Sequence, residues 1–227
     1  MMPALVEQWI LAVDASCEHG SIALARGGEV VEEVVLHGPT GFDQILYAGL
    51  RELLDRHGVA LREVACFAAA SGPGTFTGVR VSLGCVKGLA EALEKPAVGI
   101  SNLEAMARFG SEPLRGVAMD ARRGQVYGAV YDAGGALIRG EVVADLGPWL
   151  DSLPEGVTEF LSTDLELDLE GTRFAGARVV RTPRAMAAQI ARIAAQRLER
   201  GEVSDPAALD ANYVRRADAE LKWTDTR

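Results

Sequence analysis

The chain has 227 residues, a formal net charge of −9 and an apolar fraction of 48%, which fits one domain or two compact lobes, each with a sizeable core. Its acidity, with no basic run longer than the pairs Arg122-Arg123 and Arg215-Arg216, argues against a free-standing nucleic-acid binder, which would carry a basic patch. Cys17, Cys66 and Cys85 form no C-x-x-C pair and read as reduced thiols, those at 66 and 85 as small buried hydrophobes.

The apolar residues near the start are interrupted by Glu7 and Gln8 and follow no basic segment, so no signal peptide is expected. No stretch reaches the roughly 20 apolar residues of a membrane span. The expectation is a cytoplasmic protein with no membrane partner.

"WILAVDA", residues 9–15, is a short apolar run closed by an acid and reads as a buried strand. Two alternating runs about Gly27-Gly28 follow and predict a hairpin. Ile45, Leu46, Leu50, Leu53 and Leu54 fall at helical spacing, with Gly58 as the stop. "VACFAAA" is another strand, and "SGPGTFTGVR", residues 71–80, opens a helix that ends at Pro96. "AVGIS" adds a strand, giving the order strand, strand, strand, helix, strand, helix, strand for the first half.

The second half starts alike. "RGVAMDA" is again an apolar run closed by an acid, and two strands flank Gly134-Gly135. The first glycine of each pair lies 13 residues after Asp14 (27 minus 14) and 14 after Asp120 (134 minus 120), which predicts two lobes built on one plan. "TEFLST" and "ARVVRTP" read as later strands and "RAMAAQIARIAAQRLERG" as a long helix. The tail from Asp205 is polar with isolated apolar anchors and is expected to pack against a lobe.

This pattern predicts an α/β, two-lobed, actin-like ATPase (ribonuclease H-like) fold with duplicated β-β-β-α-β-α lobes. The expected division is 1–101, with the glycine loop and two helices, and 102–227, whose tail packs back on the first lobe. In such a fold Asp14 and Asp120 stand at strand ends, where carboxylates orient Mg²⁺ and phosphates. The plainer alternative is that both cap turns.

The glycine segment matches no familiar phosphate loop. Val79-Arg80 stand where a Walker A loop has Lys-Ser/Thr, and Gly72-x-Gly74-x-x-x-Gly78 has one residue too many for the dinucleotide fingerprint. Pro73 also removes an N–H from the loop. What remains is a turn and a helix start that Thr75 or Thr77 caps, able in principle to hold an anion. Gly78, Gly84 and Gly88 then lie inside the helix, each costing about 1 kcal/mol against alanine. Close approach to another helix, in the same lobe or on a partner, is the usual compensation.

"ILAVDAS", "SGPGTFTGVRVSLGCVKGLAEAL", "GISNLEAMA", "AMDARRGQVYGAVYD" and the tail "NYVRRADA" together closely resemble the TsaB family, also known as YeaZ. The resemblance spans about residues 9 to 216 and is weak between 140 and 205. It implies a part in making N6-threonylcarbamoyladenosine at position 37 of tRNA. The implied role is a non-catalytic partner of a TsaD-type paralogue, joined by a TsaE-type ATPase. It also implies an interface on the first two helices, used by a second copy when the paralogue is absent. Tentative interface residues are Ile45, Leu46, Gly49, Leu53, Gly78, Val81, Cys85 and Leu89. Asp14, Gly72, Gly74, Thr75 and Asp120 would be remnants of a phosphate cleft. No cofactor is expected to bind tightly to this chain, although ATP or ADP has a place at the complex interface. Contact with tRNA is expected only through the complex.

The residues support the distinction from TsaD. His19, His37 and His57 are 18 and 20 residues apart, so no H-x-x-x-H metal pair exists. There is no G-x-S-x-G elbow, and Ser71 reads as a turn serine. "PTGFDQ" stands where many family members keep Glu-His-Thr at the start of the first helix. The competing reading is an autonomous Mg-dependent ATPase or phosphotransferase using Asp14, Asp120 and the Gly72–Gly78 loop. Against it, the later half offers only the separated Gly171 and Gly176 in place of a second phosphate loop.

Overall fold

A computed structural model describes residues 8–38, 41, 42 and 44–214. The pair Arg215-Arg216, most of the tail motif, and Pro39, Thr40 and Asp43 of "PTGFDQ" lie outside the described residues.

β1 (Trp9–Asp14) is buried along almost its whole length, as suits a central strand covered on both faces. It pairs antiparallel with β2 (His19–Arg26), which pairs antiparallel with β3 (Glu29–His37). Gly27 and Gly28 make the two-residue turn between them with φ of 57° and 87°, the left-handed pair such hairpins require. On its other side β1 runs parallel to β4 (Val64–Gly72), and β4 to β5 (Ala97–Ser101). The sheet order is β3-β2-β1-β4-β5.

The second sheet repeats this plan. β6 (Leu114–Asp120), β7 (Gln125–Asp132) and β8 (Leu137–Asp145) form an antiparallel run. β9 (Glu159–Ser162) lies parallel to β6, and β10 (Arg178–Arg181) parallel to β9. The order β10-β9-β6-β7-β8 is the first sheet's order over again. The α/β fold with duplicated lobes expected from the paired Asp and Gly-Gly spacing is therefore present. The repeat is looser in its helices, because no α-helix stands between β9 and β10. There Leu165, Leu167, Leu169 and Phe174 reach the second core from irregular chain.

In the first unit, α1 (Leu46–Arg56) and α2 (Phe76–Ala92) share one core with the alternate residues Leu11, Val13, Ile22 and Leu24. α1 begins later than the apolar spacing suggests, since Ile45 holds the cap position without a side-chain bond. Glu32 of β3 ties down its far end through Arg56 at 2.8 Å and His57 at 2.7 Å. α5 (Ala187–Glu199) packs on β1, β2 and β4 although it follows β10 in sequence. Its first N–H groups are met by Ser21 Oγ and Glu33 Oε1, and Arg197 reaches Glu104 at 2.5 Å. Beyond it Leu209 enters the first core, and Ser204 bridges to Ala97. Among the described residues the compact units are accordingly discontinuous: those up to 105 with 183–211, and 106–182 with those from 212.

Two short helices, α3 (Asn102–Ala107) and α4 (Leu146–Asp151), were not foreshadowed by periodicity. Six residues are too few to show a 3.6-residue repeat. α4 supplies Trp149 and Leu150 to the second core, where Trp149 stands edge-on to Phe160.

Candidate functional site

The glycine loop joins β4 to α2, and its glycines are used by the chain itself. Gly72 has φ 104° and precedes a cis peptide to Pro73. A Cβ at Gly74 would stand 2.7 Å from the Ser16 side chain, and one at Gly78 would overlap the Ala15 carbonyl. Thr75 N–H donates to the Ser16 carbonyl at 2.7 Å, and Ala15 N–H to Ser82 Oγ at 2.7 Å. Thr75, not Thr77, caps α2, its hydroxyl accepting from Gly78 N–H at 3.2 Å. The β1–β2 turn thus lies against the loop and the first turn of α2.

Asp14 anchors this turn from within. Its Oδ1 accepts from Ser16 N–H at 2.9 Å and Ser16 Oγ at 2.6 Å. Asn102 continues the network, donating to Ser16 Oγ at 2.6 Å and accepting from Gly72 N–H at 3.3 Å. Oδ2 is buried with no hydrogen-bond partner among the described residues. Burial raises the Asp14 pKa above its ordinary value, opposed by the bonds from Ser16 and reinforced by the Glu33 charge. The Met186 N–H adds a smaller favourable pull on the charge without meeting hydrogen-bond geometry to Oδ2. Asp120 holds the matching end of β6, yet it is exposed, and its Oδ1 accepts from Arg122 N–H at 2.7 Å. So Asp14, Gly72, Gly74 and Thr75 come together in one place, and Asp120 belongs to the second unit. Among the described residues, no group of three or more His, Cys, Asp or Glu is arranged to hold a metal ion.

The eight residues named for the interface line the two helices of the first unit. Leu46, Leu53 and Cys85 are buried in its core, and Ile45, Val81 and Leu89 are half-buried against it. Gly78 is buried beside Ala15, while a Cβ on Gly49 would meet Ile22 and Leu36 at 3.3 Å. The Tyr47 hydroxyl donates to the Cys85 sulfur and links α1 to α2. Burial pushes the Cys85 thiol up to about 11 and that of Cys66 to about 12.

The outward side of the same helices carries a different set. α1 exposes Tyr47, Ala48 and Arg51. Among the exposed residues of α2, Phe76, Arg80, Gly84 and Gly88 recur every four residues and so share a single face. The Arg80 guanidinium sits 3.7 Å from the centre of the Phe76 ring, and Phe76 is 53% exposed. A Cβ on Gly84 or Gly88 would meet nothing within 4 Å. Gly78 is thus explained inside the lobe, and Gly84 and Gly88 are not. The four-residue spacing was present in the sequence, but it selects a face only once the helix is known to start at Phe76.

Comparison with known proteins gives the family. The family model described as "TsaD: tRNA N6-adenosine threonylcarbamoyltransferase" matches residues 42–207. The chain is 31% identical to the tRNA threonylcarbamoyladenosine biosynthesis protein TsaB of Bacillus subtilis, over 96% of this chain and 99% of that one. Similarity to the tRNA N6-adenosine threonylcarbamoyltransferase of Granulibacter bethesdensis is 28% and covers only 51% of this chain and 36% of that one. A crystal structure from Pseudomonas aeruginosa, described as similar to peptidase YeaZ, superposes with a TM-score of 0.79. It is 27% identical, over 92% of this chain and 100% of that one. Coverage from end to end separates the two kinds of relative: this chain belongs to the TsaB (YeaZ) family.

Proposed function

We propose that this chain is a non-catalytic subunit of the complex that makes N6-threonylcarbamoyladenosine at position 37 of tRNA. It docks a TsaD-type subunit on the outer face of α1 and α2. The observation that carries the reading is the stripe Phe76, Arg80, Gly84 and Gly88, where two bare glycines leave open space along an exposed helix. Glycine lets another backbone come close, and an exposed aromatic beside an arginine is the composition of an interface anchor. The name of the Bacillus subtilis relative supports the pathway.

Under this reading a second copy occupies the same face when the paralogue is absent, and a TsaE-type ATPase joins the assembled pair. ATP or ADP binds at the complex interface rather than tightly to this chain. Contact with tRNA is made through the partners in the complex. Among the described residues no helix is long and apolar enough to cross a membrane, and the proposed site of action is the cytoplasm. The autonomous ATPase is not favoured, because the loop it would use is occupied by the Ala15 and Ser16 backbone.

The test is reconstitution of tRNA modification from threonylcarbamoyl-adenylate synthase, TsaD-type and TsaE-type subunits, with and without this chain. Product is expected only when the chain is present. Equal product in its absence removes the subunit reading.

A further inference from the structure

The two sheets open with the same local design. Asp14 and Asp120 end β1 and β6, an alanine follows each, and the next strand starts five residues on (19 minus 14; 125 minus 120). In both turns the residue two beyond donates its N–H to the aspartate Oδ1, at 2.9 Å from Ser16 and 2.7 Å from Arg122. There the likeness stops. Ser16 is buried, its hydroxyl taken by Asp14 and Asn102 and its carbonyl by Thr75 N–H. The same position in the second sheet is Arg122, followed by Arg123, and both are exposed.

Arg122 and Arg123 have φ of 61° and 58°, and Gly124 follows at 76°. Ala121 N–H to the Gln125 carbonyl at 2.9 Å and Gln125 N–H to the Arg122 carbonyl at 3.0 Å close the turn. The bond from Gln125 N–H makes Arg123 and Gly124 the two central turn residues, where such hairpins ordinarily take Asn and Gly. Arg123 stands in the Asn place and Arg122 precedes it, both in the left-handed region that side chains with a Cβ disfavour. A turn that keeps two arginines in it holds strain that folding alone does not require, and such outliers point to function.

The chemistry of the tip narrows the ligand. Guanidinium groups present paired donors that match phosphate oxygens. Asp120, Gly124 and Gln125 flank the arginines, and no large exposed apolar residue falls among 120–125. A protein interface is built round a buried, more apolar centre, whereas backbone contacts to nucleic acid are made by isolated basic and polar groups. We propose that the β6–β7 turn is an RNA phosphate contact, in which Arg122 and Arg123 grip the backbone of the tRNA that the complex modifies. This rests on the function proposed above, and it gives the chain a direct contact with tRNA in addition to those of its partners.

Replacing the pair as R122N/R123N puts at both positions a residue that tolerates the left-handed region and gives the turn Asn-Gly at 123–124, so the fold is expected to be kept or slightly stabilised. The variant and the original chain are each assembled with the TsaD-type subunit. Binding of an unmodified tRNA transcript is then measured from roughly 50 to 200 mM salt. The slope of log K against log salt is expected to become shallower by roughly one per arginine lost, with assembly unchanged by light scattering. An unchanged slope and affinity overturns the inference. Loss of assembly with the RNA slope intact assigns the turn to a protein contact and overturns it equally. Assembly of the original chain, scored in the same samples, reports on the functional reading separately; if that fails, the inference falls with it.

Discussion

Asp14 shows a carboxylate at a strand end held for a structural purpose. Its carboxylate fixes the β1–β2 turn through Ser16 and leaves Oδ2 buried without a hydrogen-bond partner among the described residues. A buried unsatisfied polar atom costs about 1–3 kcal/mol. Because the folded-state pKa is raised, chiefly by burial, the native chain holds a proton at Asp14 more tightly than the unfolded chain does. Stability linked to this group is therefore full below the unfolded pKa and is lost as pH rises through the folded value. Asp14→Asn keeps an acceptor for Ser16 and removes the charge. It is expected to equal or exceed the original chain by about 1 kcal/mol at pH 7, with the advantage shrinking under acid conditions. Urea unfolding at several pH values measures the difference. A variant clearly less stable at pH 7 would show that the charge itself holds the turn.

At the scale of elements, α2 carries three glycines that the sequence alone could not tell apart. Helical spacing made Gly78, Gly84 and Gly88 legible as departures from good helix composition, and the apolar residues of α1 and α2 as one set. The sequence did not show which glycine meets the lobe and which meets solvent, because that depends on the turn after β1, some 60 residues earlier. The strands along the chain and the two hairpins were readable for the opposite reason: each is a local apolar or alternating run bounded by Gly, Pro or an acid. Gly78→Ala drives a methyl into the Ala15 carbonyl and is expected to cost about 3 kcal/mol, as tight overpacking does. Gly84→Ala and Gly88→Ala place theirs in open space and should each gain about 1 kcal/mol in helix propensity. In a chain of this size, each gain raises Tm by about 3 °C. If the outer face docks a partner helix, these two stabilised variants also bind the TsaD-type subunit more weakly. Calorimetry of the isolated chain and titration against the partner separate the two effects. Stabilisation with undiminished binding would remove the glycine face from the interface.

The whole molecule is not two consecutive blocks of sequence. α5 and the segment through Leu209 return from beyond β10 to complete the first unit. α5 buries Ile190 and Ile193 with four alanines on the side of the sheet away from α1 and α2. Each fully buried Ile or Leu contributes about 2 kcal/mol. Losing Ile190, Ile193 and Leu209 together therefore removes stability near the lower end of the roughly 5–15 kcal/mol that holds a domain folded. The exposed faces of β1, β2 and β4 would also invite association. A chain ending at Ala105 is accordingly expected to lack a cooperative urea transition and to aggregate. Joining residue 105 through a flexible linker to Pro183–Ala211 should restore a single sharp transition, followed by tryptophan fluorescence from Trp9. If the shorter chain unfolds cooperatively with the same midpoint as the joined one, α5 decorates a self-sufficient lobe. The reverse result makes the returning helix a condition of the first lobe's folding, and hence of any surface that α1 and α2 present.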